Sequence, residues 1–249
     1  MKWIVLAAPL AAALLLSSET APPERPGPLA SGGILLNTGW RLRPAGKQVP
    51  LSTFPMSAAL TPDGKYLLVL NAGPDAPSIS VLDTAGAAEL SRTPVPGAWL
   101  GLALSPKGDR VYVGGGAQAT VFEFTFSNGK LTPARAFPVV EAARRTPQDF
   151  TGDVAFDPAG RLLYAADLLH DSIVVINPQS GTVIERFPTG RRPYRILFHP
   201  DGQSLFVSSW GDGAVYHHQA EKGTLLQKVR LGAHPTDMVW LPGVPAAEE

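Results

Sequence analysis

Histidines, a knot of arginines and several loop aspartates are the side chains of this 249-residue chain that could act on a ligand. His170 sits in "DLLHD" with Asp167 and Asp171 beside it, and an imidazole among carboxylates is an arrangement suited to proton transfer. Arg191, Arg192 and Arg195, with Tyr194, make the one concentrated basic spot, "GRRPYR". Guanidinium groups bind carboxylate or phosphate through two parallel hydrogen bonds. Trp99 in "GAWLG", Asp153 in "FTGD", Trp210 in "SWGDG" and His234 in "AHPTD" complete a set of candidate ligand-binding residues. No catalytic residue is assigned. The pair His217–His218 lies on an expected strand, where neighbours point to opposite faces, so the two cannot chelate one ion together. His199 occupies the position held by Thr61, Ser105 and Asp157 in related stretches, a turn-capping position. The sequence contains no G-x-S-x-G, H-E-x-x-H or G-x-x-x-x-G-K, and without cysteine it has no CxxCH. Neither a metal nor a cofactor is expected.

The elements that must position these residues are written in a repeat. "LTPDGKYLLVL" from Leu60, "LSPKGDRVYVG" from Leu104, "FDPAGRLLYAA" from Phe156 and "FHPDGQSLFVSS" from Phe198 place the same turn between the same two kinds of apolar segment. Aligned on Pro62, Pro106, Pro158, Pro200 and Pro242, the units recur every 42 to 52 residues. Several short strands per unit of that length indicate β-propeller blades, and no helical period competes. The longest step has a visible cause: "VVEAARRTPQDF", Val139–Phe150, is an inserted charged loop. The third unit shows four strands, Gly152–Phe156, Arg161–Ala166, Ser172–Asn177 and Thr182–Gly190, rich in Val, Ile, Tyr and Phe. The fold is therefore read as all-β, a propeller of four-stranded antiparallel blades with about four complete blades present.

In such a fold the loops between second and third strands gather with the blade-entry segments around one mouth, where propellers commonly bind ligands. That places the candidate residues together. Two plainer readings stand beside it: solvated loop chemistry for His170, and rim arginines paired with a neighbouring blade's carboxylate.

The stretch Arg161–Gly202 resembles the YVTN repeat, and "SISVLDTAGAAEL" at Ser78–Leu90 matches the same section. The resemblance extends over about Gly46–Gly243 and is similar to YncE-like propellers, especially exported ones that precede a phosphoesterase domain of the alkaline-phosphatase kind. "GWRLRPAGKQVPL" and "GAWLGLALSPKGDRVYVGGG" suggest that subgroup. The resemblance implies a ring of seven blades. Here Lys47–Thr53 aligns with the last strand of a unit, four units follow, and Asp237–Gly243 begins a fifth. An incomplete ring, the N-terminal part of a longer protein, is the expectation, with self-association through open blade edges as a consequence.

Lys+Arg and Asp+Glu are balanced at 21 each, and with no basic stripe nucleic acid is excluded as a partner. The apolar run Trp3–Leu16 is shorter than the ~20 residues a membrane span needs and fits a signal peptide over 1–21. A periplasmic or extracellular protein with no membrane contact in its mature form follows. A Pro/Gly-rich linker and arm is expected over 22–46, with order starting near Ile34, then blades over 47–243 and a short tail over 244–249. The favoured function is a module that binds or scaffolds a small ligand, a protein or an adjoining catalytic domain. The alternative is a propeller lactonase acting on an acidic sugar lactone through Arg192 and His170. A platform for a redox partner is a third reading.

Overall fold

The computed structural model describes residues 24–241. The proposed signal peptide, the turn at Pro242 and the C-terminal tail lie outside them. The chain divides into two units, at Gln48 and Val49.

The first unit holds a small antiparallel sheet of three two-residue strands, β1 (Gly27–Pro28), β2 (Ile34–Leu35) and β3 (Arg41–Leu42). Order thus begins before Ile34. Gly32, Gly33 and Gly39 take left-handed backbone (φ 83°, 91° and 82°), which lets so short a segment reverse twice. Arg41 and Glu24 pair at 2.6 Å.

The second unit consists of four blades, each a four-stranded antiparallel sheet. Blade 1 is β4 (Pro55–Leu60), β5 (Tyr66–Asn71), β6 (Ser78–Asp83) and β7 (Ala88–Pro94). Blade 2 is β8 (Leu102–Leu104), β9 (Arg110–Gly114), β10 (Thr120–Ser127) and β11 (Lys130–Pro138). Blade 3 is β12 (Thr151–Phe156), β13 (Leu163–Asp167), β14 (Ser172–Asn177) and β15 (Thr182–Pro188). Blade 4 is β16 (Pro193–Phe198), β17 (Ser204–Ser209), β18 (Ala214–Gln219) and β19 (Leu225–Arg230). The inserted segment Val139–Phe150 carries a single turn of 3-10 helix at Ala142–Arg144.

Two expected strands do not form. Lys47–Thr53 has no strand and blade 1 starts at Pro55; Asp237–Leu241 is likewise irregular. A strand needs a ladder of backbone hydrogen bonds, and neither segment belongs to a sheet among the described residues, although the Thr53 carbonyl accepts from the Gly73 N–H at 3.2 Å. Asp237–Leu241 instead lies along blade 4 through side chains. Trp240 Nε1 donates to the Phe198 carbonyl at 2.6 Å, and its ring meets Phe206 and His199 edge-on.

The core sits between blades. Leu68, Leu70, Ile79 and Val81 of blade 1 pack on Val111 and Val113 of blade 2. Tyr112 and Val121 of blade 2 meet Leu163, Val174 and Ile176 of blade 3. Tyr164, Ile173 and Val175 of blade 3 meet Ile196, Leu205 and Val207 of blade 4. Middle strands are apolar on both faces because each face belongs to a different interblade seam. Polar ties reinforce the seams. Glu123, buried in blade 2, pairs with Arg110 and Arg135 and accepts from Tyr112 Oη at 2.9 Å, while Arg135 also donates to the Pro178 and Gln179 carbonyls of blade 3.

At one end the repeated turn does a second job. Gly64, Gly108, Gly160 and Gly202 each close the turn by donating N–H to the carbonyls of Thr61, Ser105, Asp157 and His199 at 2.8–2.9 Å, with φ of 65–73°. The residue before each proline caps that turn, as expected for His199: the Thr61 hydroxyl accepts from Tyr66 N–H, Ser105 from Arg110, Asp157 from Arg161 and His199 Nδ1 from Asp201. Each glycine after the first also packs against the proline of the preceding blade. A Cβ on Gly108 would come within 2.8 Å of Pro62, one on Gly160 would collide with Pro106, and one on Gly202 would sit 3.5 Å from Pro158. The turns stack around the arc.

Candidate functional site

The first strands of successive blades touch one another, so β4, β8, β12 and β16 form the inner wall. In three of them a bulge interrupts the pairing near the mouth, between Pro55 and Ser57, Thr151 and Val154, and Pro193 and Arg195. A bulge re-aims the side chain that follows it. At the position five residues before each turn proline the chain places Ser57, Gly101, Asp153, Arg195 and Asp237, and all but the glycine make side-chain contacts with a neighbouring unit. The Ser57 hydroxyl donates to the Leu100 carbonyl at 2.8 Å. Asp153 accepts from Arg195 at 3.1 Å and from the Ile196 N–H at 2.9 Å, and Arg195 Nε reaches Asp237 at 3.2 Å. Burial pushes the Asp153 carboxyl up, against the pull of Arg195. The Arg195 guanidinium, disfavoured by burial, is held up by both carboxylates.

Three residues farther out, at the blade entry, the backbone turns left-handed at Phe54, Arg192 and His234 (φ 54°, 53° and 59°). Asp171 adopts the same conformation (φ 51°) in the loop between β13 and β14. Such a backbone costs an ordinary residue about 1–2 kcal/mol that glycine would not incur. Asp171, Arg192 and His234 all line one pocket of about 680 Å³, with Arg191, Trp210 and the turn Leu168–Leu169. Three non-glycine residues on left-handed backbone in one pocket argue that their side chains are wanted there.

Within this pocket the arginines differ. Arg191 is spent: its N–H and Nε bind Asp212 at 3.0 and 3.1 Å, and Nη2 donates to the Gly211 carbonyl at 2.8 Å. The Tyr216 hydroxyl at 2.6 Å, the Arg191 N–H and guanidinium, and Lys228 hold Asp212 well below the usual carboxylate range, so that pairing persists. Arg192 is fixed through its backbone, its N–H donating to Asp171 Oδ1 at 2.9 Å and its carbonyl accepting from Trp210 N–H at 3.1 Å. Its exposed guanidinium has no ion pair among the described residues. His234 stacks on Trp210 with centroids 3.9 Å apart, and its Nδ1 lies 3.0 Å from the Trp210 carbonyl. A carbonyl can only accept, so Nδ1 carries a proton, and in the neutral ring Nε2 is the nitrogen with the lone pair.

The nine candidates therefore fall into three groups. Arg191, Arg192, Trp210 and His234 share the pocket just described. Trp99 and Tyr194 meet edge-on at 5.4 Å beside Phe150, next to the Asp153–Arg195 pair. His170 stands apart in a second pocket of about 470 Å³, where Nδ1 donates to the buried Asp167 at 3.0 Å and lies 3.4 Å from the buried Asp149. The loop Leu168–Asp171 lies between, contributing His170 to one pocket and Leu168, Leu169 and Asp171 to the other. His170 and Arg192 are not brought into one pocket. Arg195 does pair across blades, as the plainer reading of rim arginines expects, and Arg191 pairs within blade 4.

Sequence reasoning did not single out Asp149, Asp212 or Asp237. Asp237 was recoverable, since it falls at the repeat position of Asp153 and Arg195; Asp149 sits in the insert, which has no counterpart to align with. His217 and His218 do face apart. His217 stacks on Phe206 at 4.2 Å, whereas His218 is buried between the Gly223 carbonyl and the Thr189 hydroxyl. Among the described residues no group of three acidic, histidine or cysteine side chains is placed to hold a metal ion, and no helix is long and apolar enough to cross a membrane.

Comparison with known proteins bears on what such a mouth serves. No curated protein sequence matches the chain. Solved structures share its fold. A periplasmic gluconolactonase of Pseudomonas aeruginosa superposes with a TM-score of 0.60 at 23% identity, over 74% of this chain and 55% of its own. A putative 6-phosphogluconolactonase of Bacteroides fragilis gives 0.58 at 18% identity, over 81% and 65%. A protein of unknown function from Desulfotomaculum acetoxidans gives 0.57 at 21%, over 69% and 54%. The chain thus spans between 54% and 65% of the length of these structures. The family model described as "Lactonase, 7-bladed beta-propeller" matches residues 53–240, which take in all four blades. The chain belongs to the lactonase family of seven-bladed β-propellers.

Proposed function

We propose that this chain provides the substrate-binding mouth of an exported lactonase that opens an acidic sugar lactone. Membership in a lactonase family supports this reading better than a purely scaffolding module. The observation that carries it is the pairing, in one pocket, of the Arg192 guanidinium with a His234 whose Nδ1 is tied to a carbonyl. Arg192 anchors the acid group of the substrate. His234 Nε2 takes a proton from water as the water oxygen bonds to the lactone carbonyl carbon. When the ring C–O bond breaks, the same nitrogen returns the proton to the departing ring oxygen, leaving the open hydroxy acid. Proton transfer by a positioned histidine contributes about 10²–10⁴-fold. The base of this reading is His234, because His170 lies in the neighbouring pocket.

The test is proton release from D-glucaro-1,4-lactone by the purified chain, measured against spontaneous hydrolysis. Turnover above background that falls at least about 100-fold in His234→Asn is the expected result. Background rates in the unaltered chain, or full activity in His234→Asn, would overturn the reading.

A further inference from the structure

Resting on that reading, we infer that the acid group taken by the Arg192 pocket is a singly charged carboxylate and not a phosphate. The charges and donors around the pocket decide this. Arg191 is already neutralised by Asp212 on its N–H and Nε. Among the described residues, the Arg192 guanidinium is therefore the pocket's one cation without an acidic partner. Arg230 lines a neighbouring groove that shares only Trp210, Gly211 and His234 with this pocket. Asp171 also lines the pocket and sets a negative charge beside any anion there.

A phosphate monoester carries about −1.5 to −2 charges and offers three strong acceptor oxygens. Sites for it gather several cations or a nest of free backbone N–H groups. Here five N–H groups of the wall are in use: Leu168 to the Phe150 carbonyl, Arg191 to Asp212, Arg192 to Asp171, Trp210 to the Arg192 carbonyl and Gly211 to the Arg191 carbonyl. A lone guanidinium fork matches a carboxylate in both charge and geometry. The Trp210–His234 stack and the Leu168–Leu169 turn supply an apolar wall for the carbon face of a sugar.

Calorimetric titration of the full chain with three probes tests the inference: gluconate as the monoanion, glucose as the neutral sugar and glucose 6-phosphate as the dianion. Gluconate is expected to bind about fivefold or more tightly than either other probe. Arg192→Gln should bring gluconate down to the glucose level, and Asp171→Asn should raise the affinity for glucose 6-phosphate. Equal or tighter binding of glucose 6-phosphate, no response to Arg192→Gln, or no binding of any probe would overturn it. Selective gluconate binding without lactone turnover would sink the hydrolytic reading and leave the charge assignment standing. Faster turnover of 6-phosphogluconolactone than of glucarolactone would do the reverse.

Discussion

The two ends of the blades obey different rules. At the turn end, four Pro-x-Gly turns close with the same hydrogen bond and nearly the same glycine φ, each capped by the residue before its proline, and each glycine after the first packs on the proline before it. At the mouth end, equivalent positions hold unlike residues: Phe54, Ala98, Phe150, Arg192 and His234 at one level, Ser57, Gly101, Asp153, Arg195 and Asp237 at the next. Where the chain repeats itself it is building the arc. Where it departs from its own repeat, it places a side chain for one blade's purpose.

The largest effect should come from a mouth-end residue that nevertheless serves the arc. Asp153→Ala removes one of the two acids around the part-buried Arg195 and should cost about 3 kcal/mol, seen as a lower urea midpoint. A cost under about 1 kcal/mol would mean that Asp237 alone suffices, and Asp153 would move to the functional side of the comparison.

Next in size are paired glycine changes at the turn end. Gly160→Ala must fit a methyl group into Pro106 on a left-handed backbone and should lose about 2 kcal/mol; Gly202→Ala meets Pro158 at an ordinary distance and should lose about 1 kcal/mol. Equal losses in thermal unfolding would show that the stacked turns contribute nothing beyond backbone conformation.

A pH series probes the same end. Burial lowers the pKa of His218 below its usual 6.5. The unfolded chain therefore binds a proton near pH 6.5 that the native state refuses. The stability tied to this neutral imidazole is complete above pH 6.5 and declines as pH falls towards the lowered native value, by about 1.4 kcal/mol for every pH unit crossed between the two. His218→Gln should flatten that slope in urea titrations between pH 7.5 and 5.5; an unchanged slope would assign it elsewhere.

The smallest effect has the opposite sign. Arg192→Gly relieves a left-handed arginine and should stabilise the fold by about 1 kcal/mol while abolishing selective gluconate binding. Phe54→Gly, at the equivalent position of blade 1, should gain as much and leave binding alone. Loss of stability in Arg192→Gly would mean that the side chain supports the arc.

This division also explains what could be read from the chain. The strands Ser172–Asn177 and Gly152–Phe156 were legible because alternating seams demand Val, Ile and Phe, and the turns because they recur. Lys47–Thr53 and Asp237–Leu241 have strand-like composition, but pairing is a property of neighbours, which composition does not report. All the candidate mouth residues except His170 fall into two groups, since blade geometry carries loops to one end. What stayed hidden was which of them touch: that His170 belongs with Asp149 of the insert, and that His234 belongs with Trp210, depends on loop conformations with no repeat to align.

The contact from Asp153 to Arg195 to Asp237 makes each blade's place in the order matter. Acid, base and acid alternate along this part of the inner wall, so a duplicated third blade would set aspartate against aspartate, and exchanging the third and fourth would put Asp153 beside Asp237 and leave Arg195 with one acid in place of two. Repeat proteins grow by copying their units. In this one, a new copy of the third or fourth blade must change sign at a single residue before it can stay beside its parent.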